Sequence, residues 1–329
     1  MKTKSLIGLM IGLVLLSLLV SWQGLGTVAG VLGEAGWAVL LICLFAAPSQ
    51  LIGAEAWRCL FPRERRPGTF ETWMASWMGS AVNTLLPVAT IGGEVVKARV
   101  LALNGHSGTD TVSSMVVDKT VQAISILIWA LVGIAMLTQV APDEKVIRGA
   151  VIGAVLLALG IGGFIGVQLL GSFSFFAKIG IKAGNKAGTS DKWRGIVGSA
   201  ADVDAAIKAI YKKPGAITIA VFLRLADRVL LVGEVLLAAH LMGHPIGIAE
   251  AVMIKGLVAA LRGVSFAIPA GLGVQEGGYI GLGLLVGLPP DLMLAVSLAS
   301  RVREILPNIP FLFVWQHLEG RALLRRARE

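Results

Sequence analysis

Ionisable side chains recur at equal spacing in two apolar regions of this sequence. In each region a glutamate lies seven positions after a proline, and a basic residue lies thirty-two positions after the same proline. The two triplets, which repeat at one constant offset, are Pro87, Glu94 and Lys119, then Pro269, Glu276 and Arg301. Charged side chains in apolar surroundings are costly, and they usually face a cavity or pair with one another. We therefore expect each triplet to belong to a polar site.

Further ionisable residues lie close to the triplets. They are Lys97, Arg99 and Asp118 in the first region, Lys255, Arg262, Arg303 and Glu304 in the second, and Arg224, Asp227, Arg228 and Glu234 just before the second. Some are three positions apart, which places them on one helix face; these are Glu94 and Lys97, Arg224 and Asp227, and Arg301 and Glu304. Two interpretations stay open: ion pairs that only hold helices together, or a shared site with a ligand.

A lipid headgroup suits this mixture of charges. The planar fork of an arginine matches phosphate oxygens, and a carboxylate suits a cationic headgroup or a proton. A helix that restarts after a break offers free N–H groups and a positive dipole end to an anion. The predicted substrate-binding residues are Glu94, Lys97, Arg99, Asp118, Lys119, Arg228, Glu276, Arg301 and Arg303. The predicted hinge residues are Pro87, Gly92, Gly93, Pro269, Gly271 and Gly273.

Signatures of catalysis and of metal binding are weak. His240 and His244 are four positions apart, but the sequence has no HExxH motif. The Gly271-Leu272-Gly273 run resembles part of a dinucleotide loop, although no strand is predicted before it. There is no phosphate-loop motif, CxxC pair or nucleophile elbow. We expect no catalytic residue, no metal site and no cofactor.

The composition is that of an integral membrane protein. Hydrophobic residues make up 56% of the 329 residues and charged residues 15%, whereas soluble domains have about 45–50% and about 25%. The net charge of +9 does not indicate nucleic acid, because the basic residues lie mostly between apolar runs. Cys43 and Cys59 both lie in one apolar stretch, which predicts packing residues and not a disulfide framework.

Apolar runs of the length needed to cross a bilayer, roughly 20 residues, predict six long transmembrane helices. The predicted spans are 5–22, 37–60, 111–138, 146–170, 215–242 and 291–316. The first lacks the cleavage pattern of a signal peptide. Regions 70–104 and 250–287 are interrupted by proline and glycine, which break helices. Each of these two regions predicts a re-entrant helical hairpin, because broken backbone at membrane depth must be enclosed.

Basic residues gather on the cytoplasmic side of membrane proteins. A cytoplasmic N-terminus and two re-entrant hairpins place most of them there, including the long 171–214 segment and the tail after 318. We therefore predict a multi-pass protein of the bacterial inner membrane with both termini in the cytoplasm. Residues 192–213 are predicted to form either an amphipathic helix on the membrane surface or a solvated connector.

The constant offset between the triplets also predicts an inverted repeat within a single membrane domain, residues 1–329. Repeat 1 covers about 37–138, a connector span and basic loop about 146–214, repeat 2 about 215–318, and a basic tail 319–329. On the predicted topology the two hairpins enter from opposite sides. Inverted repeats with interrupted helices are typical of transporters that bind their substrate near the bilayer midplane.

Three runs of sequence carry a family resemblance. The runs LLPVATIGGEVVKARVLALNG, VVDKTVQ and IPAGLGVQEGGYIGLGLLVGLPP resemble the lysylphosphatidylglycerol synthase transmembrane (flippase-like) family. The third run, with SRVREILPNIPFLFVWQ after it, looks most like the branch associated with hopanoid biosynthesis, often called HpnL. The resemblance implies the fold of the membrane half of the multiple peptide resistance factor, which moves aminoacylated phospholipid between leaflets, without that factor's soluble transferase domain.

Two functions are expected from these observations. The first is a lipid transporter or flippase for a hopanoid or another polar-headed lipid. In it Glu94, Lys97 and Arg99 line the cytoplasmic side of the headgroup pathway, and Glu276, Arg301 and Arg303 line the outer side. The alternative is an accessory factor or intramembrane enzyme of lipid assembly that does not translocate. The expected partners are a membrane lipid and lipid-biosynthesis enzymes, with no nucleic acid, and the sequence leaves the oligomeric state open.

Overall fold

The computed structural model describes residues 36–86, 91–170, 200–264 and 273–326. Every regular element in these ranges is a helix, as the all-α prediction requires. Short 3₁₀ segments cover Gly36–Phe45 and Arg63–Arg65. The α-helices are α1 (Ala46–Arg58), α2 (Thr69–Leu85), α3 (Ile91–Leu103), α4 (Gly108–Val140), α5 (Glu144–Leu170), α6 (Ala200–Tyr211), α7 (Pro214–Leu241), α8 (Ile248–Val264), α9 (Val274–Leu285), α10 (Pro290–Ile305) and α11 (Asn308–Arg326).

Three described helical segments are long and apolar enough to cross a membrane. They are Leu40–Arg58, Gly108–Val140 and Glu144–Leu170. They correspond to the predicted spans 37–60, 111–138 and 146–170. The first combines the end of a 3₁₀ segment with α1, and the change of helix type lies just before Pro48. A proline is tolerated there because the first turn of an α-helix needs no N–H donor from it.

The other predicted spans have different outcomes. The span 5–22 lies outside the described residues. Helix α7 covers the residues of the predicted span 215–242, but it is not among the described segments apolar enough to cross a membrane, and four Asp, Glu or Arg side chains lie along it. The prediction of one continuous helix over 291–316 is wrong, because α10 ends at Ile305 and α11 begins at Asn308. Pro307 lies in the gap, and its ring and missing N–H prevent an uninterrupted helix.

The first interrupted region is a helical hairpin of α2 and α3. The two helices pack against each other, and a Cβ added to Gly93 would collide with the carbonyl oxygen of Gly79. The Gly93 N–H donates to Oδ1 of Asn83 at 2.7 Å, so a side chain of α2 satisfies a donor in the first turn of α3. Glycine at both positions therefore permits backbone contact that no larger residue allows.

The second interrupted region has the same form, with α8 and α9 packed together. Gly273 precedes α9 with a φ of +77°, a conformation that glycine adopts readily. Gly92 and Gly93 lie inside α3 and not in the interruption itself. The other predicted hinge residues, Pro87, Pro269 and Gly271, lie outside the described residues.

The long helix α4 joins the two hairpin regions. It makes its most extensive contact with α8, and the two backbones approach closely where Gly133 faces Gly256. A Cβ added to Gly256 would lie 2.8 Å from the carbonyl oxygen of Trp129. Small residues of this kind let membrane helices pack at short distance. An apolar core that includes Met253, Ile254 and Met293 surrounds this contact.

Helix α6 is the described part of the predicted amphipathic helix at 192–213. Its apolar residues Val203, Ile207 and Ile210 are buried against α1, α4 and α7. The helix therefore packs on the protein. At its end the Tyr211 hydroxyl donates to Oε1 of Gln168 at 2.9 Å, which connects α6 to α5.

Most of α5 lies outside the core. Only 11% of the most apolar stretch of 18 residues in this helix is buried. Many of its aliphatic side chains are exposed, namely Val151, Ile152, Val155, Leu156, Leu159, Val167, Leu169 and Leu170. An exposed surface of this composition fits lipid and not water.

The contact between Gly133 and Gly256 predicts a stability effect. Gly256→Ala should lower the free energy of unfolding by about 1–3 kcal/mol, because its methyl group has to displace backbone atoms. Gly153→Ala on α5 is the matched control: nothing lies within 4 Å of its added Cβ, so we expect no loss. Thermal unfolding of the purified protein in detergent measures both, and equal midpoints would contradict the close packing.

Candidate functional site

A polar cavity of about 260 Å³, called the central cavity from here on, lies between the two halves of the chain. Gln50, near the middle of the span Leu40–Arg58, is one of its lining residues. The cavity therefore reaches membrane depth. The residues that line it are Ala46, Gln50, Trp77, Ser80, Thr84, Arg262, Arg303, Glu304, Pro307 and Asn308.

The break between α10 and α11 forms one wall of this cavity. Pro307 has no N–H, so it cannot donate to the carbonyl of Arg303 as a continuous helix would require. The Asn308 side chain instead donates from Nδ2 to the carbonyl oxygen of Glu304 at 2.7 Å. Irregular backbone at membrane depth is stable only where protein or a polar cavity satisfies it. This break meets that condition, because it lines a polar cavity.

A network of buried charges extends from the cavity into the protein. Arg262 donates from one guanidinium nitrogen to Oε1 of Glu304 at 2.9 Å and to Oε1 of Gln275 at 2.7 Å. Arg303 lies 3.0 Å, through Nε, from Oε1 of Glu234. Lys255 donates to the other oxygen of Glu234 at 3.1 Å. The network connects α7, α8, α9 and α10.

This network contains more cations than anions. Its ionisable members are three bases and two acids, namely Arg262, Arg303, Lys255, Glu304 and Glu234. Glu234 is fully buried, and the side chains of Lys255 and Arg303 are 15% and 11% exposed. Buried charges need compensation. The excess positive charge beside the cavity therefore favours an anionic group as its occupant.

The predicted residues of the first region form a second cluster. Glu94 accepts from Lys97 at 3.3 Å and lies 2.6 Å from Nζ of Lys119. Lys97 also lies 5.6 Å from the centroid of the Trp57 ring, within the range of a cation–π contact. The structure thus brings together Glu94, Lys97 and Lys119 as one group on α3 and α4.

Asp118 pairs with a helix that is distant in sequence. Arg224 on α7 donates to both of its carboxylate oxygens at 2.8 Å, and Gln122 donates to one of them at 2.7 Å. Arg228, one turn later on α7, donates to Oγ of Ser125 over longer distances of 3.4 Å. The contact between α4 and α7 therefore depends on polar side chains.

Glu276 and Arg301 pair with each other, as do the residues that match them in the first region. Arg301 donates to Glu276 from Nε and, at 3.1 Å, from a terminal guanidinium nitrogen. Glu276 also accepts the Gly273 N–H at 2.8 Å, which satisfies the first turn of α9. Arg99, by contrast, pairs with Glu319 on α11 at 3.2 Å and belongs to none of these groups.

Of the nine predicted binding residues, only Arg303 lines the central cavity. Of the three predicted local pairs, Glu94 and Lys97 contact each other, whereas Arg224 pairs with Asp118 and Arg301 with Glu276. Arg262 and Glu304 were recognised as ionisable residues of an apolar region, but they were not assigned to the site. Gln50, Ser80, Thr84 and Asn308 are uncharged, and no sequence signal distinguished them.

The described residues contain no group of three or more potential metal ligands among His, Cys, Asp and Glu. His240 and His244 lie at the exposed end of α7 and in the loop that follows it. The arrangement provides polar groups of both signs around a small cavity, and no arrangement of a nucleophile and a base is evident among the residues that line it.

The described elements are all helices, three segments are long and apolar enough to cross a membrane, and one of these segments lines the charged cavity. These features define an integral membrane protein. The chain belongs to the lysylphosphatidylglycerol synthase transmembrane-region family, whose model matches residues 5–310. The match confirms the family resemblance, and it identifies a membrane domain associated with lipid-related functions. No curated protein and no solved structure matches the chain.

The buried network predicts unequal effects of two matched substitutions. Glu234→Gln leaves two buried cations without their carboxylate, so we expect a loss of about 3–5 kcal/mol. Glu319→Gln removes the partner of Arg99 in a more exposed pair, with an expected loss of at most about 1 kcal/mol.

Thermal unfolding in detergent compares the two variants. The double variant Glu234→Gln/Lys255→Met should recover part of the loss, because it also removes Lys255, whose salt bridge is to Glu234, whereas Arg303 keeps a contact with Glu304 at 3.6 Å. Equal midpoints for the two single variants would contradict the energetic role of the network.

Proposed function

We propose that this protein moves a polar-headed lipid between the leaflets of a membrane and that the headgroup passes through the central cavity. The observation that carries the proposal is a charged cavity at the depth of Gln50 beside the broken helix at Pro307. A protein that only anchors itself in a bilayer has no need of such a cavity. Membrane helices associate through small residues and weak hydrogen bonds, as at Gly133 and Gly256.

The size of the cavity favours a headgroup over a whole lipid. Its volume of about 260 Å³ is below the roughly 300–1,000 Å³ of pockets that enclose a complete drug-sized ligand. The acyl chains would therefore stay in the bilayer while the polar part enters. Arg262 and Arg303 suit phosphate oxygens, and Glu304 suits a cationic group of the same headgroup.

We further propose that the two halves form an inverted repeat. The offset in sequence between Glu94 and Glu276 also separates the start of α4 from the start of α10 and the end of α3 from the end of α9. Glu94 pairs with Lys119 and Glu276 with Arg301, twenty-five positions apart in both cases. Matching helix bounds and matching ion pairs support a repeat beyond the sequence match. The inverted sense of the repeat comes from the topology that we also propose, an inner-membrane protein with both termini in the cytoplasm.

In this proposal the two ion pairs lie on the route to and from the cavity. A headgroup that carries a phosphate and an amine can replace either partner of such a pair, so it can pass without leaving a charge uncompensated. Glu94, Lys97 and Lys119 would serve one side, and Glu276 and Arg301 the other. Asp118, Arg228 and Arg99 would hold the helices that carry these groups.

Two classes of lipid are candidates for the substrate. The resemblance to the hopanoid-associated branch makes a hopanoid with a polar side chain one candidate, and a phospholipid is the other. The excess positive charge beside the cavity favours a lipid with a phosphate. Because the sequence has no phosphate-loop motif, we propose that a proton or the lipid gradient drives any net movement.

A second candidate function is an accessory factor that holds a lipid while a lipid-biosynthesis enzyme modifies it. The observation that favours it is the linkage of α7, α8, α9 and α10 by the buried network. Such linkage fits a rigid binding cavity as well as a moving one. The two candidates differ in whether the purified protein exchanges lipid between leaflets.

A larger side chain in the central cavity should slow lipid exchange. Ser80 lines the cavity and accepts from Gln50 at 3.0 Å. We expect Ser80→Leu to slow leaflet exchange of a fluorescent phospholipid in proteoliposomes by at least about tenfold, which corresponds to ~1.4 kcal/mol in the barrier. The control Ser80→Ala removes the hydroxyl without filling the space and should change the rate much less.

Wild-type protein that exchanges no lipid would favour the accessory function. Exchange that is equally fast in Ser80→Leu would show that the headgroup does not pass through this cavity.

The two matched glutamates provide a separate test of the route. Glu94→Gln and Glu276→Gln each leave a basic partner without its carboxylate, and we expect each to slow exchange by about tenfold. The same proteoliposome assay measures both. If exchange stays at the wild-type rate in both variants, the assignment of these pairs to the headgroup route is wrong, while the cavity itself remains testable through Ser80.

A further inference from the structure

A second and larger cavity lies among the terminal parts of four helices. Its volume is about 560 Å³, and it lies among the end of α1, the start of α4, the C-terminal half of α6 and the start of α7. It shares no lining residue with the central cavity. Its lining residues include Phe61, Arg63, Arg66, Ile210, Lys213 and Ile219.

The position of this cavity corresponds to a membrane surface. Cys59, which follows α1, lines it, and Gln50 of the central cavity lies nine residues earlier in the same helix. At 1.5 Å per residue that separation is about 13 Å. Because α1 belongs to a segment that can span a membrane, the cavity lies near the end of the span and not at its centre.

The walls of the cavity carry excess positive charge. Four basic residues line it against two acidic ones, namely Arg63, Arg65, Arg66 and Lys213 against Glu64 and Asp110. Arg65 pairs with the buried Asp110 at 3.1 Å. Arg66 donates to the carbonyl of Cys59 at 3.2 Å, and its buried Nε has no hydrogen-bond partner among the described residues. The balance of the lining favours an anion.

The helix termini at this cavity carry partial charges of both signs. Asp110 and Ser113 near the start of α4 and Gly215 and Ala216 at the start of α7 line it, as do Cys59 after the end of α1 and Ile210 near the end of α6. The N-terminal end of a helix carries a partial positive charge and the C-terminal end a partial negative one. The excess positive charge therefore comes from the basic side chains.

The cavity also has an apolar part that continues towards lipid. Leu60 and Phe61 are buried beneath it, and Ile219 on its wall is 54% exposed. Phe222, one turn further along α7, is 69% exposed. A ligand that combines an anionic head with an aliphatic chain would place the head among the arginines and the chain along Ile219 and Phe222. A free anion would use only the first part.

We propose that this cavity binds the phosphate headgroup of an anionic phospholipid. The lipid would come from the leaflet on the side of the membrane where Arg63, Arg66 and Lys213 lie. The site is separate from the central cavity and does not depend on translocation. It holds a lipid at the membrane surface, beside the end of α1 and the start of α7.

The test uses the full chain, purified in an uncharged detergent and carrying Ser80→Leu so that the central cavity is obstructed. Three probes are titrated: dioctanoyl phosphatidylglycerol, dioctanoyl phosphatidylcholine and inorganic phosphate. The double variant Arg63→Gln/Lys213→Gln removes two exposed charges of the cavity and leaves the pair of Arg65 with Asp110 intact. The matched control Lys145→Gln/Arg148→Gln removes two exposed charges near the start of α5.

We expect phosphatidylglycerol to bind and the cavity variant to weaken its binding roughly 30-fold, because each basic residue near an anionic lipid is worth about a factor of five. The control variant should bind like the parent. Equal binding of phosphatidylcholine, or equal loss in the two double variants, would overturn the proposal.

Ile219→Gln distinguishes a lipid from a free anion. It should weaken phosphatidylglycerol and leave any binding of inorganic phosphate unchanged. Phosphate that binds as tightly as phosphatidylglycerol, with no effect of Ile219→Gln on either probe, would overturn the assignment to lipid. Because every measurement is made with the central cavity obstructed, failure here leaves the proposed translocation untouched, and the absence of translocation leaves this site untouched.

Discussion

The pairing of buried charge is the constraint on which the rest of this structure depends. Glu234 has no exposed surface, and it lies between Lys255 and Arg303. The side chains of both cations are largely buried, so removal of this carboxylate would leave Lys255 without its salt-bridge partner and Arg303 with only the longer contact to Glu304 at 3.6 Å. The helices α7, α8 and α10 must therefore meet at this point. The cavity beside them follows from the same requirement, because the broken backbone at Pro307 also needs polar surroundings.

The two cavities differ in size, position and the chemistry of their lining. The central one is small, lies at the depth of Gln50 and is bounded by side chains of both signs. The second cavity is larger, and it has a basic wall and an apolar side. A lipid held at this second cavity would have its headgroup about 13 Å along α1 from the central cavity. The two sites together are consistent with membership in a family of lipid-related membrane domains.

The sequence predicted those features that depend on local chemistry. Proline and glycine mark both hairpins, and the apolar runs mark three helices of membrane length. The break at Pro307 was missed because the run 291–316 is otherwise apolar enough for a helix. Pairing between distant helices could not be predicted, since Asp118 and Arg224 are 106 positions apart and only the packing of α4 on α7 brings them together. The uncharged cavity residues Ser80 and Asn308 depend on that packing as well.

Access of water and headgroup to the central cavity is the most direct test of this account. A variant with Cys43→Ala and Cys59→Ala, which removes both native cysteines, would carry Ser80→Cys as its single thiol. We predict that a charged, membrane-impermeant thiol reagent labels this position in proteoliposomes and that a short-chain phospholipid slows the labelling. A thiol that never reacts, or one whose reaction no lipid slows, would contradict a wet cavity that receives a headgroup.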